Sequence, residues 1–414
     1  MPDTATLAAP PPQPAPADDP AGRAVVTLAP GGQRRAEAGH PWVYSNEIVM
    51  DAAAKALPAG SLVTLRRADQ RPLGVAMFNP HTLLAARLLD RDAARPIGRR
   101  FFARHLERAL QLRERLYDRP YYRLVHAEAD GLPGLVVDRF GEVLAVQANT
   151  AGMDCQEALI VEALRGLVSP AAIVLRNDSP ARALEGLPLE TRIAHGSLPD
   201  PVEIEEDGAV FAIDPLAGQK TGWFYDQRDN RAFVARFAGG ARVLDLYCYG
   251  GGFAVQAARA GAQSVVAIDR SEPALALAAR SAAGNAVAGI CAFRRGEVFH
   301  EAAALGAAGE RFDIVVADPP PFARSKREAP AALRGYRKLA RLATQLTAPG
   351  GFLFVASCSH NVAAADFAEA VRRGVAEAGR TARILRQAGA GPDHPVHPAL
   401  PESAYLKALT LTLD

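Results

Sequence analysis

The segment RVLDLYCYGGGFAVQAARAGA (242–262) is an apolar stretch that runs through three consecutive glycines into a helical pattern. The stretches SVVAIDR (264–270), FDIVVADPP (312–320) and GFLFVASCS (351–359) repeat the short apolar run and its polar or glycine ending, with helical patterns between them. Apolar strands joined by crossover helices are typical of a parallel, doubly wound sheet. The spacing therefore predicts an α/β domain over residues 201–414.

Two smaller domains are predicted upstream of this sheet. Short apolar stretches separated by turn residues predict a β-rich domain over residues 23–95. The helical pattern FFARHLERALQLRERLY (101–117) and the strand patterns after it predict an α+β domain over residues 96–200. The leader, residues 1–22, is rich in proline and alanine and is predicted to be disordered, because it has too little apolar surface to bury.

The charge is distributed unevenly along the chain, although the net charge is only +2. Residues 23–120 carry 17 Lys or Arg against 9 Asp or Glu, whereas residues 121–414 carry 30 against 33. A basic N-terminal third is what a polyanion-binding module would show, and an arginine-rich solvated surface gives the same count. Trp42 and Tyr44 are candidates for stacking on bases, with a place in the core as the alternative.

The cysteines and the apolar runs limit the class of protein. Cys155, Cys248, Cys291 and Cys358 are widely scattered, so we expect neither a metal site nor a disulfide framework. The chain has no signal-peptide pattern and no uninterrupted apolar run near the length of a membrane span. We therefore expect a soluble cytoplasmic protein with no membrane partner.

The strand ends point to the cofactor, because ligands bind at the carboxyl ends of parallel strands. Asp269 ends the second strand, 19 residues after Gly250, and is placed to accept ribose hydroxyls. Val255 stands where a dinucleotide fingerprint needs its last glycine, which disfavours NAD. Asp245 would repel a pyrophosphate and suits the cationic amino group of S-adenosylmethionine; alone, it could equally cap the following helix.

The last two strands carry the candidate reacting groups. Asp318 is followed by three prolines and Phe322, a rigid loop that suits recognition of a planar base. The stretch 322–342 then holds seven Lys or Arg, which could track phosphates. Cys358 follows the next strand, and a cationic cofactor and basic residues beside it would lower its pKa, as a nucleophile requires. A cysteine is needed where C5 of a pyrimidine is the target, since addition of a thiolate at C6 activates C5.

These motifs resemble the PUA-domain-containing RNA cytosine-C5 methyltransferases that modify large-subunit (23S) ribosomal RNA. The matching stretches are HPWVYSNEI (40–48), DGLPGLVVDRFG (130–141), KTGWFYDQRDNR (220–231), the glycine loop, DPPPF (318–322), SCS (357–359) and DHPVHPALPESAYLK (393–407). Their collinear order covers nearly the whole chain. The resemblance implies an N-terminal PUA barrel for RNA, a central α+β domain and a C-terminal Rossmann-like class I methyltransferase domain that binds S-adenosylmethionine.

The same resemblance implies roles for individual residues. Cys358 would be the nucleophile and Asp318 would assist at the base. The residues implied to bind the cofactor are Asp245, Tyr247, Gly250, Gly251, Asp269, Glu297, Phe224 and Arg228, and those implied to bind the substrate are Pro319, Phe322 and Lys326. Two departures from the family pattern, Pro321 and the pair His360-Asn361, could alter which base or neighbouring nucleotide is read.

Two other functions stay open at this point. An aspartate followed by prolines and an aromatic residue also resembles the signature of methyltransferases that act on exocyclic amines or on a ring nitrogen of guanine, which need no cysteine. Alternatively, the chain is an RNA-binding protein that keeps the fold without the chemistry. The sequence does not identify the modified nucleotide or the oligomeric state, and a homodimer is left open.

Overall fold

The computed structural model describes residues 22–323 and 325–414, so the predicted disorder of the leader lies outside the described residues, apart from Gly22. The strands are β1 Ala24–Thr27, β2 Trp42–Val43, β3 Ser61–Arg66, β4 Pro72–Phe78, β5 Ala86–Asp90, β6 Tyr121–His126, β7 Leu135–Phe140, β8 Val143–Ala148, β9 Ala172–Asn177, β10 Glu190–Gly196, β11 Val202–Glu206, β12 Ala209–Ile213, β13 Arg242–Leu246, β14 Ser264–Asp269, β15 Cys291–Arg295, β16 Phe312–Ala317, β17 Thr347–Ser357, β18 Ala382–Ala388 and β19 Lys407–Leu413. The helices are α1 Arg34–Glu37, α2 Ala52–Lys55, α3 Arg99–Leu116, α4 Ala151–Cys155, α5 Glu157–Val168, α6 Pro180–Leu184, α7 Arg228–Ala235, α8 Gly252–Arg259, α9 Glu272–Gly284, α10 Val298–Ala307, α11 Ala329–Leu346 and α12 Ala364–Glu377.

The N-terminal sheet has the strand order β1-β3-β4-β5-β2, with β1 and β3 parallel and the other pairs antiparallel. Along β3, Val63 and Leu65 are buried and their neighbours are half-buried. This alternation is expected of a strand that turns one face to a core, since successive side chains point to opposite faces. Val63 and Leu65 pack with Phe78 in a core that belongs to this sheet.

The central sheet has the order β10-β9-β8-β7-β6 and packs against α3 and α5. Phe102, Leu106 and Ala109 of α3 recur at helical spacing and are buried, which gives this helix one apolar face. Val75 and Met77 of the N-terminal sheet belong to the same hydrophobic cluster as α3. The first two units are therefore held together by a shared core.

The C-terminal sheet has the order β15-β14-β13-β16-β17-β19-β18, and β19 runs antiparallel to both of its neighbours. Val243, Leu244 and Leu246 of β13 are fully buried, as expected of a strand covered by helices on both faces. One core forms under α10, α11 and α12, and another forms under α7, α8 and α9. The predicted fold class, a Rossmann-like C-terminal domain behind a β-rich N-terminal domain and a central α+β unit, is confirmed.

Within the described ranges 22–323 and 325–414, we find no helix with the length and apolar character required to span a membrane.

Candidate active site

A cavity of about 1040 Å³ opens at the edge of the C-terminal sheet where β13, β14, β16 and β17 end. The strand-end loops supply part of its wall, and further wall residues come from the segments 123–129 and 219–231, from the C-terminal loop around Tyr405, and from Trp42 and Gln147. The predicted site residues on this wall are Cys358, Asp318, Pro319, Phe322, Tyr247, Asp269, Glu297 and Phe224. The fold therefore brings most of the predicted residues to one cavity.

Cys358 follows the last residue of β17 and lies on the cavity wall. The serines on either side of it are buried. The Ser357 hydroxyl donates to the Tyr336 hydroxyl at 2.9 Å, and Tyr336 and the Ser359 hydroxyl share a second hydrogen bond of 2.9 Å. Because Tyr336 belongs to α11, the two flanking residues are tied to that helix, which holds the backbone of Cys358 in place.

Asp318 follows the neighbouring strand β16 and faces the same cavity. The Sγ atom of Cys358 lies 4.0 Å from the carbonyl oxygen of Pro319, so the two strand ends are in contact. Burial raises the pKa of the Asp318 carboxyl to about 7, and the negative charge of Asp226 adds to this effect. Asp318 can therefore hold a proton near neutral pH and donate it.

The sequence predicted a lowered pKa for Cys358, and this is wrong: the surrounding protein groups raise it. Burial of the thiol raises its pKa to about 11, and Asp318 and Asp226 act in the same direction, while the charge of Lys220 lowers it. The sequence predicted a lowered pKa from nearby cations, but it contained no measure of how deeply the thiol is buried or how close the carboxylates come. The burial effect is the larger one.

Asp269 ends β14, as predicted, and is 7% exposed. Its Oδ2 accepts the backbone N–H of Tyr249 at 3.0 Å, and its Oδ1 accepts that of Ser271 at 2.8 Å. These bonds fix the carboxylate, and each oxygen keeps a further lone pair for a ligand. Glu297 also lies on the wall, and its Oε2 accepts the N–H of His300 at 2.9 Å, so it caps α10 as well.

The glycine loop after β13 turns sharply. Tyr247 and Tyr249 have φ angles of 66° and 48°, and Gly251 has φ 79°, so three residues adopt the left-handed conformation in a short span. A Cβ at Gly251 would lie 3.0 Å from the Cβ of Ala278, which leaves little room for a side chain. Tyr247 reaches the cavity wall, whereas Gly250 and Gly251 shape the turn behind it. Cofactor contacts of the two glycines stay predictions.

Three further predicted residues, besides Gly250 and Gly251, lie off the cavity wall. Asp245 is 1% exposed and accepts the N–H of Ala254 at 3.0 Å, so it caps α8, the alternative left open by the sequence. Arg228 is buried, with its Nε 3.5 Å from Glu206. Lys326 is an exposed residue of the turn before α11. Contacts of these three with cofactor or RNA stay predictions.

The cavity also contains functional groups that the sequence reasoning missed, namely Lys220, Asp226, His126 and Tyr405. Lys220 donates to Asp226 at 2.9 Å, and the Tyr405 hydroxyl donates to the same carboxylate oxygen. Burial lowers the pKa of His126 to about 2, so its ring is neutral. Lys220, Asp226 and Tyr405 belong to the stretches 220–231 and 393–407, which match the family. That match was the sequence signal that could have identified them as site residues.

Two family profiles match this chain. The profile of a PUA-like domain matches residues 26–91, and that of S-adenosylmethionine-dependent methyltransferases matches residues 157–412, more than half of the chain. The chain belongs to the S-adenosylmethionine-dependent methyltransferases. The structure thus describes a methyltransferase with a PUA-like domain at its N-terminal end.

Curated relatives cover almost the whole methyltransferase. A protein of Shewanella amazonensis named ribosomal RNA large subunit methyltransferase I is 38% identical over 389 residues, which are 93% of this chain and 98% of that protein. A protein of the same name from Aeromonas hydrophila is 38% identical over 395 residues, 94% of this chain and 99% of that one. The methyltransferase is therefore similar to these enzymes in all of its domains.

Solved structures share the fold of this methyltransferase. A protein of Streptococcus mutans described as a candidate SAM-dependent methyltransferase has a TM-score of 0.79 at 19% identity, and the match covers 94% of this chain and 100% of that one. A second structure, described as a candidate methyltransferase in complex with SAH, has a TM-score of 0.80 at 19% identity with the same coverage. At this identity the likeness concerns the fold.

The cavity wall of the methyltransferase fits its cofactor. S-adenosylmethionine presents ribose hydroxyls, an adenine ring and a charged methionine end. Asp269 and Glu297 offer carboxylate oxygens to hydroxyl or amino donors, and the neighbouring wall residues Val298 and Phe299 offer apolar surface to a ring. Both carboxylates are held by backbone N–H groups, so they are oriented in advance.

Proposed function

We propose that this methyltransferase transfers a methyl group to C5 of a cytosine in large-subunit ribosomal RNA through a covalent adduct with Cys358. The observation that carries the proposal is that Cys358 and Asp318 share one cavity with Asp269 and Glu297. A sulfur nucleophile, a carboxyl with its pKa near 7 and a cofactor wall are the groups that this reaction needs. The names of the curated relatives support ribosomal RNA as the substrate.

The chemistry follows from the electron distribution of cytosine. C5 gains nucleophilic character when the Cys358 sulfur bonds to C6 and the C5–C6 π electrons move toward C5 and the N3 edge. The thiol proton leaves to solvent, and Asp318 delivers its own proton toward N3, which neutralises the charge that develops there. S-adenosylmethionine supplies an electrophilic methyl group when bound. C5 bonds to this methyl group as the S–CH3 bond breaks and S-adenosylhomocysteine leaves, and N3 returns its proton to the Asp318 carboxylate. Loss of the C5 proton to solvent water then lets the sulfur–C6 bond break, which restores Cys358 as the thiolate.

A target base must leave its stack to reach Cys358, because the thiol lies on the wall of a cavity at the end of a strand. We therefore propose a single-stranded or looped RNA segment as the substrate. Trp42 of the PUA-like domain lies on the cavity wall, where its Nε1 donates to Glu128 at 2.8 Å, and it is a candidate for contact with a neighbouring base. A ribosomal RNA substrate implies action in the cytoplasm.

The proposal is tested with Cys358→Ala, assayed by mass spectrometry of large-subunit ribosomal RNA from cells that express each variant. We expect 5-methylcytosine to be lost at a single position, because Cys358 carries the thiol that we propose adds at C6. Titration calorimetry should show that the variant still binds S-adenosylmethionine.

Cys155→Ala is the matched control, since Cys155 is an exposed cysteine outside the cavity, and its methylation should equal that of the wild type. Retained methylation of cytosine in Cys358→Ala would refute the covalent mechanism. A modified guanine in place of the cytosine would favour the exocyclic-amine or ring-nitrogen alternative, and the absence of heat with S-adenosylmethionine would favour a non-catalytic RNA-binding protein.

A further inference from the structure

We propose that Lys220 is a positioning residue that stabilises the thiolate of Cys358, and that Asp226 and the loop around Lys220 hold its ammonium group in place. This inference rests on the proposed role of Cys358 as the nucleophile. Lys220 and Cys358 come from segments far apart in sequence and line the same cavity. Lys220 takes no part in the methyl-transfer steps themselves.

The side chain of Lys220 is held on three sides. Its Nζ donates to Oδ2 of Asp226 at 2.9 Å and lies 4.3 Å from the centre of the Phe224 ring. The same nitrogen lies 5.7 Å from the centre of the Tyr405 ring, whose hydroxyl donates to Asp226. Asp226 is 2% exposed, whereas the Lys220 side chain is 36% exposed, so the buried carboxylate fixes the position of an ammonium group that water still reaches.

Tyr405 also connects Lys220 to the loop that carries Cys358. The Tyr405 ring stacks on the ring of His360 at 5.1 Å, and His360 is two residues beyond Cys358 on the loop that carries the thiol. The charge of Lys220 lowers the pKa of Cys358 and so favours the thiolate. Asp226 and Asp318 disfavour it.

The backbone of Lys220 has a conformation that the surrounding structure must maintain. Its φ angle is 51°, in the left-handed region that residues with a side chain rarely adopt. The central sheet clamps this loop, because Arg176 donates to the carbonyl of Gly218 at 2.8 Å and the Thr221 hydroxyl donates to Asp138 at 2.5 Å. Non-glycine residues kept in such conformations cluster at functional sites.

The other cation near Cys358 is engaged elsewhere. Lys407 donates to the carbonyl oxygens of Ser359 at 2.6 Å and Val362 at 2.9 Å, so it holds the loop after β17. The titratable groups whose charges interact with that of Cys358 are Lys220, Lys407, Asp226, Asp318, Tyr336 and Tyr405. In a buried site with two carboxylates, a positioned ammonium group offsets part of the cost of a thiolate.

The test measures the thiolate directly. Iodoacetamide alkylates thiolates, so the rate of modification of Cys358, read by peptide mass spectrometry of the full-length protein, follows the thiolate fraction. We expect Lys220→Met to slow alkylation of Cys358 about tenfold at pH 8, which corresponds to a rise of about one pKa unit. Lys220→Arg keeps the charge and should stay within about twofold of the wild type.

Lys55→Met is the matched control, because Lys55 lies in α2, away from the cavity, and it should leave the rate unchanged. An unchanged alkylation rate in Lys220→Met would overturn the inference. Weaker RNA binding with that unchanged rate would show instead that Lys220 contacts a phosphate. If Lys220→Met fails to fold by circular dichroism, Lys220→Gln is measured in its place.

The alkylation assay needs neither RNA nor turnover, so it separates the two hypotheses. If Cys358→Ala still methylates cytosine, the proposed function fails whatever Lys220 does. If Cys358→Ala is inactive and Lys220→Met alkylates at the wild-type rate, the inference about Lys220 alone fails.

Discussion

The two halves of the cavity are assembled differently. The half that we propose binds the cofactor, called the cofactor half, consists of Tyr247, Asp269, Glu297 and Phe299, which lie at or just after the ends of β13, β14 and β15. The cysteine half consists of Asp318 and Cys358 from β16 and β17, together with Lys220, Asp226 and Tyr405 from segments outside those strand ends. A ligand wall can be built from adjacent strand ends, whereas reactive groups with shifted pKa values need charges and burial supplied by distant segments.

The largest expected effect comes from the cysteine half. Asp318→Asn removes the proton that we propose is delivered to N3, and kcat should fall by about 10²- to 10⁴-fold, the range typical of general acid catalysis. Steady-state methylation of a ribosomal RNA fragment measures this loss. The Kd for S-adenosylmethionine should not change, and a weakened Kd would mean that Asp318 belongs to the cofactor half instead.

The pH profile sharpens the same prediction. Below pH 7 Asp318 is protonated, so kcat/KM should rise about tenfold per pH unit as the Cys358 thiolate fraction grows. Between pH 7 and 11, loss of the Asp318 proton offsets the gain in thiolate, so the profile should level off. In Asp318→Asn the break near pH 7 should disappear from whatever activity remains. A break retained in that variant would contradict the assignment.

A smaller effect is expected in the cofactor half. Asp269→Asn weakens charge-assisted hydrogen bonds, each worth about 1.5–3 kcal/mol, so the Kd for S-adenosylmethionine should rise about 10- to 100-fold in titration calorimetry. The control is Asp366→Asn, since Asp366 is an exposed residue of α12. Alkylation of Cys358 should stay at the wild-type rate. An unchanged Kd would show that Asp269 does not bind the cofactor.

The smallest effect concerns the support behind Cys358. Tyr336→Phe removes the hydroxyl that bonds both Ser357 and Ser359, and it leaves their buried hydroxyls with fewer partners. The free energy of unfolding should fall by about 1–3 kcal/mol. Urea unfolding followed by fluorescence measures the change, and an unchanged midpoint would show that the serines are held by other contacts.

Much of the fold was predictable because its signals are local. The apolar runs that end near Asp245, Asp269, Asp318 and Cys358 are β13, β14, β16 and β17 of the structure, and the helical pattern 101–117 corresponds to α3. Apolar strands covered on both faces and helices with one apolar face have sequence periods that can be read directly. Asp245 was harder to assign, since a carboxylate before a helix can cap it or bind a ligand.

The sequence by itself determined the class of sheet, the strand ends that carry reactive groups and the resemblance that implies their roles. Only the tertiary structure decided that Asp245 points into the fold, that Lys220 and Asp226 reach the cavity and that burial raises the pKa of Cys358. Periodicity is a property of neighbouring residues, whereas burial and charge proximity depend on contacts between residues hundreds of positions apart.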